Sequence, residues 1–255
     1  MEVDILDKEK IKVGFVITNH QSQKIRPNGR ELLNGIIESI EYSCKFPFAV
    51  YIVDNGSEEQ LDASNSPPNY HCIIIEDQSI GGLTHAWNVG VEAAYNDNCD
   101  LIFNINDDLV INKTINRMIE IIMEHEYNDV SIYGPLTNGD GGMHDKLQTR
   151  NPLVAGENIT ETTKLENGWI DLQGYPLNGF FYAFKRDIVE KFSVDGFLFS
   201  QDIRDAWGSQ ERELFLRAVP KGLRMFIVEP CIIEHAKLRH WKDARKSFNH
   251  PKRKG

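Results

Sequence analysis

The stretch that most constrains this chain is residues 101–112, LIFNINDDLVIN. Leu101, Phe103 and Ile105 alternate within an apolar run, which is the pattern of a buried strand. The run stops at Asn106-Asp107-Asp108. Two adjacent carboxylates at the end of a buried strand are costly unless solvent, a cation or a partner receives them. In an open α/β sheet, ligands collect just beyond the carboxyl ends of the strands. A hard divalent cation takes oxygen ligands and keeps positions open for water and substrate phosphates. The acids could instead cap the next helix, but Asn112 can cap a helix from Lys113 onward. The pattern therefore points to metal and phosphate chemistry at Asp107 and Asp108.

The surrounding periodicities predict strands over 12–18, 49–53, 72–75 and 130–133, with helices over 30–42, 83–95 and 113–126 between them. Arg26-Pro27-Asn28-Gly29 breaks the chain after the first strand, and Pro67-Pro68 marks a loop. Strands alternating with helices imply βαβ units and a mostly parallel sheet. The second half is less regular. Residues 134–168 are rich in Gly, Asn and Thr without a period and read as a long loop. Strands follow over 180–184, 224–228 and 231–233, the last either separate or a continuation, with helices over 187–192 and 207–219.

At 255 residues the chain can bury an ample core. Its net charge of −10 argues against nucleic acid as a partner. The charge is uneven: residues 236–255 carry eight Lys or Arg against one acid, Asp243. Cys44, Cys72, Cys99 and Cys231 lie far apart without a CxxC pair, which favours free thiols and a reducing compartment. The charged start MEVDILDKEK is no signal peptide, and no apolar run reaches the ~20 residues of a membrane span. A cytoplasmic protein is expected, with the basic tail able to touch a membrane surface.

Each remaining motif has a structural and a chemical reading. Asp54-Asn55-Gly56-Ser57 ends a strand and forms a tight turn on composition alone; Asp54 could also accept from a nucleobase N–H. Gly81-Gly82 opens a helix and could hold phosphate on backbone N–H groups. It is neither the dinucleotide fingerprint nor a P-loop, which counts against a dehydrogenase, a kinase and an NTPase. His85, Trp87 and Asn88 pack a helix on the plain reading, although Asn88 in mid-helix hints at a specific hydrogen bond. Gln210-Glu211-Arg212-Glu213 begins a helix, where acids suit the macrodipole. One of the two glutamates could be a general base, and being two apart they cannot share a site. His235 follows a strand end on the edge expected for the acid pair, where imidazole can ligate a cation.

The order IVDNGS, GGLTHAWNVGVEAA, INDDLVI, GSQERELFLRA, EPCIIEH resembles the nucleotide-diphospho-sugar glycosyltransferases of the GT-A fold. It is most similar to glycosyltransferase family 2 and its rhamnosyltransferase-like relatives, over about residues 12–235. The resemblance implies a Rossmann-like three-layer α/β/α sandwich with a mostly parallel central sheet. It implies one GT-A-like domain over 1–255: a nucleotide-sugar half at about 12–135, an acceptor half at about 136–235 and the basic tail at 236–255. Asp54 maps to the family's base contact. Asn106-Asp107-Asp108 maps to its D-x-D element, with Asp108 the metal ligand and His235 the late histidine beside it. Gln210-Glu211 stands where the family has Glu-Asp, giving Glu211 the catalytic base position. Thr18, Asn19, Gly81, Gly82, Asn88, Asn106 and Asp107 complete the donor-binding set.

The activity so implied is metal-dependent, inverting transfer of a sugar from a nucleotide-diphospho-sugar donor to a hydroxyl of a glycan or glycoconjugate. Mn²⁺ or Mg²⁺ is the implied cofactor; a UDP-sugar is the favoured donor, with GDP and dTDP as alternatives. Aromatics over 169–199, among them Tyr175, Phe180, Phe181 and Tyr182, would shape the acceptor site unless they are ordinary core. The tail from Lys237 to Arg245 would fold over the donor unless it is a solvated end. Two other classes remain at this point. A sugar-phosphate nucleotidyltransferase should carry a Gly-rich basic loop after the first strand, and Thr18-Asn19-His20-Gln21-Ser22 is not one. A non-catalytic sugar-nucleotide or glycan-binding module would bind without turnover.

Overall fold

Fifteen helices and strands follow one another among the residues that the computed structural model describes, namely 8–24, 26–62, 64, 66–76, 82–124, 130–137, 164–165, 169–172, 177–202 and 210–235. In chain order they are β1 (Val13–Asn19), α1 (Gly29–Ser43), β2 (Phe48–Asn55), β3 (Tyr70–Ile75), α2 (Gly82–Asn96), β4 (Leu101–Asn106), β5 (Leu109–Val110), α3 (Thr114–Glu124), β6 (Ser131–Thr137), β7 (Lys164–Leu165), β8 (Trp169–Asp171), β9 (Phe181–Lys185), α4 (Asp187–Phe192), α5 (Gln210–Ala218) and β10 (Arg224–His235).

The strands form one sheet in the order β3-β2-β1-β4-β9-β6-β10-β8-β7, with β5 paired to β10 off that path. β3, β2, β1 and β4 run parallel, with α1 crossing over from β1 to β2 and α2 from β3 to β4. β9 enters antiparallel between β4 and β6, while β6 and β10 are parallel to each other. The expected mostly parallel sheet is present, and its one central antiparallel strand comes from the second half of the chain.

Strand alternation divides the core into two layers. Phe15, Ile17, Phe103, Ile105 and Phe181 point to one face, where Leu33, Ile36 and Ile40 of α1 and Ile115, Met118 and Ile122 of α3 cover them. Val16, Ile102, Tyr182 and Phe184 point to the other, under Trp87 and Val91 of α2, Ile188 of α4 and Leu214 of α5. Apolar side chains every three or four residues on each helix make this possible, and the result is a three-layer α/β/α sandwich. The helices end as the sequence indicates. The Asn112 side chain accepts from Thr114 N–H at 2.9 Å and so caps α3. Gly82 opens α2 at a φ of +56°, a left-handed value that favours glycine.

Several local expectations are corrected. β6 runs on through Gly134 and Pro135 to Thr137, so the long irregular segment starts later than composition indicates. Pro135 lies beyond the last β9 pair, at Tyr133, and forfeits no ladder bond on that side. β10 is one strand whose register with β6 shifts between Val228 and Ile232, at Pro230. Phe181 and Tyr182 are 0% exposed and belong to the core, so they do not form an acceptor surface. Tyr175 and the tail lie outside the described residues. The four cysteines are free, and burial pushes the Cys231 thiol up to about 12 and the Cys44 thiol to about 11. No helix among the described residues is long and apolar enough to cross a membrane.

Candidate active site

The carboxyl ends of β2, β1 and β4 carry a continuous polar network. Asp54, at the end of β2, is 0% exposed and accepts from Ser57 N–H at 3.0 Å, Leu61 N–H at 3.0 Å and Arg30 Nη2 at 2.9 Å. Arg30, in the first turn of α1, also donates to Asn19 Oδ1 at the end of β1. Asn19 Nδ2 donates to Gly29 O at 2.9 Å and to Asp107 Oδ2 at 2.6 Å. Asp107 then receives Arg26 Nη2, which lies 4.0 Å from Asp108 Oδ2. Strand pairing aligns Asn19 with Asp54, and Thr18 with Asn106, so these ends form one edge.

This network revises the reading of Asp54. Its carboxylate is closed to solvent and holds the turn after β2, the plainer of its two readings, so a nucleobase reaches it only if that turn opens. Asn88 is likewise committed: its Nδ2 donates to Phe199 O at 2.7 Å and its Oδ1 accepts from Phe199 N–H at 2.9 Å. The specific hydrogen bond expected of Asn88 exists, and its partner is the chain itself rather than a donor sugar. Asn106 is half-buried and its N–H donates to Phe180 O at 2.9 Å. Gly81 lies outside the described residues.

Asp107 is 1% exposed and Asp108 is 4% exposed. Burial pushes the Asp107 carboxyl from the usual 3.8 up to about 6, and the neighbouring Asp108 charge adds to this against the pull of Arg26 and Asn19. Between pH ~4 and ~6 the unfolded chain releases this proton while the folded chain keeps it. Protein stability is therefore expected to fall, through this group, as pH rises across that window. Thermal melts from pH 4 to 6.5 check it: Asp107→Asn should remove that part of the slope.

The far end of β10 pairs antiparallel with β5, setting His235 opposite Leu109, one residue beyond Asp108. The expected neighbourhood of His235 and the acid pair holds at the level of the backbone.

Glu211, in the first turn of α5, is 4% exposed. It packs over Gly179: a Cβ there would lie 2.8 Å from Glu211 Oε1 and 2.8 Å from the Trp87 ring. Only a glycine lets the carboxylate and the indole share that spot. Glu213 faces elsewhere, paired with Arg217 and accepting from Ser200 N–H at 3.3 Å. The two glutamates are thus separated as their spacing requires, and Glu213 is engaged by Arg217. Asp205 lies outside the described residues.

Sequence reasoning missed Arg26, Arg30, Gly179 and Asn104 as site residues. Arg26 passed for part of a chain break. Asn104 is 0% exposed, and neither its amide nor the buried Thr18 Oγ1, Trp87 Nε1 or Gln21 Oε1 has a hydrogen-bond partner among the described residues. A polar residue inside the apolar run of β4 was the available signal. Thr18 and Asn104 share the α2 side of the sheet, so unfilled hydrogen-bonding capacity gathers beside the strand ends.

A family model described as Glycosyl transferase family 2 matches residues 25–193, more than half of the 255-residue chain. No curated protein matches it in sequence. Among solved structures, S. aureus TarS 1–349 in complex with UDP-GlcNAc superposes with a TM-score of 0.60 at 14% identity, covering 88% of this chain and 58% of TarS 1–349. GalNAc-T7 with UDP, GalNAc and Mn²⁺ gives a TM-score of 0.65 at 12% identity over 88% of this chain and 44% of the other. The first of the TarS 1–349 structures to match is covered over 63% of its length, so this chain spans less than two thirds of these relatives. The likeness at such low identity shows the fold, which is GT-A. With the family match over residues 25–193, this chain belongs to glycosyl transferase family 2.

Proposed function

We propose that this protein transfers a sugar from a nucleotide-diphospho-sugar to an acceptor hydroxyl, inverting the anomeric centre. The observation that carries this reading is the polar network linking the ends of β2, β1 and β4 to the Asp107–Asp108 pair. It gathers charge at the edge where α/β sheets bind ligands. Family membership supports transfer chemistry, and the UDP and UDP-GlcNAc named for the TarS complexes favour a UDP-sugar donor.

Thr18 Oγ1 and the helix opening at Gly82 are assigned to the donor. Asn19 and Asp107 act from within, by fixing where Arg26 and the acid pair stand. A divalent cation suits this site, because adjacent carboxylates supply the oxygen ligands that Mn²⁺ and Mg²⁺ take. Asp108 would hold it, with Asp107 and His235 beside it. When bound, it would supply positive charge to the departing diphosphate. Among the described residues, no three His, Cys, Asp or Glu side chains converge into a cage.

Glu211 is assigned the acceptor side. Its carboxylate takes the proton of the acceptor hydroxyl as that oxygen bonds to the anomeric carbon. The carbon–oxygen bond to the diphosphate breaks in the same displacement, and the nucleoside diphosphate leaves with its electron pair. Trp87 and Gly179 hold the carboxylate in place and dry. An acceptor that is a glycan or glycoconjugate, and a peripheral membrane contact through the tail, belong to the same proposal.

A thermal-shift panel of UDP-, GDP-, dTDP- and CMP-sugars with and without Mn²⁺ tests this reading, because a ligand selective for the folded state raises the melting temperature. A shift by one nucleotide class, enlarged by Mn²⁺, together with sugar transfer, is the expected result. A panel with no shift and no transfer would defeat the reading. Asp108→Asn sharpens the test. The Mn²⁺-dependent part of UDP affinity, read by calorimetry, should fall by more than the ~10–100-fold typical of losing an outer-shell partner. Unchanged affinity would move the metal elsewhere.

A further inference from the structure

Arg26 is delivered to the acid pair by an anchored loop. Its N–H donates to Ser22 O at 2.9 Å, and its carbonyl accepts from Ser22 N–H at 3.3 Å and Gly29 N–H at 3.1 Å. The loop is laced to the segment after β2: Ser22 Oγ donates to Glu58 Oε1 at 2.8 Å and Gln23 N–H to Glu58 Oε2 at 3.0 Å. From this base the guanidinium contacts Asp107 Oδ1 and reaches 4.0 Å from Asp108 Oδ2. The side chain of Arg26 is 26% exposed, against 1% and 5% for the two carboxylates.

Electrostatics gives the contact a consequence. A guanidinium stays charged at any pH the protein meets. Counted among these three groups alone, two ionised acids against one guanidinium leave a net charge of −1. A divalent cation directed to the same oxygens meets an engaged Asp107 and a positive charge beside it. Adding it turns that net charge of −1 into +1 in a poorly solvated site, where uncompensated charge is expensive. A nucleoside diphosphate, carrying at least two negative charges, cancels that positive excess and returns the site to a net negative charge, and it gives the guanidinium a second anion to bond.

We propose that Arg26 is the resident counter-cation of the Asp107–Asp108 pair, so that a divalent cation binds well only together with a nucleotide diphosphate, to which Arg26 then turns. This rests on the donor reading above. It makes Arg26 the residue that sets the binding order, and it makes cation and nucleotide affinities reciprocally coupled. The site stays closed to free cations until the donor arrives.

The test follows the free Mn²⁺ electron paramagnetic resonance signal on the full chain, with and without UDP, for wild type, R26Q and R26K. Wild type should bind Mn²⁺ weakly alone and at least tenfold more tightly with UDP. R26Q should bind Mn²⁺ alone at least tenfold more tightly than wild type, with a smaller gain from UDP, while R26K should keep the wild-type pattern. R26Q binding Mn²⁺ alone no better than wild type overturns the inference, as does R26K matching R26Q. If R26Q does not fold, the wild-type measurement decides: Mn²⁺ binding that UDP does not tighten overturns it. Equal Mn²⁺–UDP binding by all three proteins, without coupling, removes the inference and leaves the donor reading. No Mn²⁺ bound by any of them with UDP removes the inference and the metal reading together.

Discussion

Glu211→Gln is expected to fold like the wild type, bind donor normally and transfer sugar ~10²–10⁴ times more slowly, the usual loss for a missing general base. The amide keeps the volume that fills the space over Gly179 beside Trp87, so packing survives. It cannot take a proton from the acceptor. Single-turnover transfer, UDP affinity by calorimetry and a circular dichroism melt separate the possibilities. A normal kcat would free Glu211 of the role. Loss of donor binding would place it on the wrong substrate. Glu213 is a poor substitute, because its pairing with Arg217 ties α5 to the chain at Phe192 and Leu198, whose carbonyls Arg217 also bonds.

Gly90→Ala is expected to destabilise the protein by about 2 kcal/mol and lower Tm by roughly 4–8 °C. α2 crosses the sheet at Gly90, where a Cβ would stand 2.3 Å from Val16 Cγ1 and 3.0 Å from Val53 Cγ2. Both valines are fully buried and stiff at χ1, so neither can turn aside. Overpacking of this kind costs ~1–3 kcal/mol, and a contact this short belongs at the upper end. The better helix propensity of alanine returns only about 1 kcal/mol. Gly35→Ala on α1 is the control. Nothing lies within 4 Å of its would-be Cβ, so the same substitution should stabilise by ~0.5–1 kcal/mol. Opposite signs in thermal melts would confirm that helix-to-sheet approach sets the requirement at Gly90. A neutral Gly90→Ala would show that α2 can ride outward.

Features governed by near neighbours were legible in the residues. The alternation 101–105, the Asn112 cap, the glycine at the start of α2 and the opposed faces of Glu211 and Glu213 each depend on residues a few positions apart. Their physics is steric and hydrogen-bonding preference over one or two turns. The ordered motifs also pointed to the family that the comparison matched over residues 25–193.

What the tertiary structure alone decided lies between residues far apart in the chain. β9 enters between β4 and β6, although β5 and α3 intervene in sequence between those two strands and β9 follows both. An apolar run such as 181–184 announces a strand without naming its partners. Asn88 announced a hydrogen bond, and only the fold supplied Phe199, 111 residues away. Asp54 read equally as a turn residue or as a nucleobase contact until Arg30, Ser57 and Leu61 filled its carboxylate. Arg26 looked like loop punctuation until the fold set its guanidinium on Asp107, 81 residues further on. A charge in sequence shows neither its solvation nor its partner. Both are set when strand ends converge and exclude water, and that burial makes the pairing of Arg26, Asp107 and Asp108 consequential.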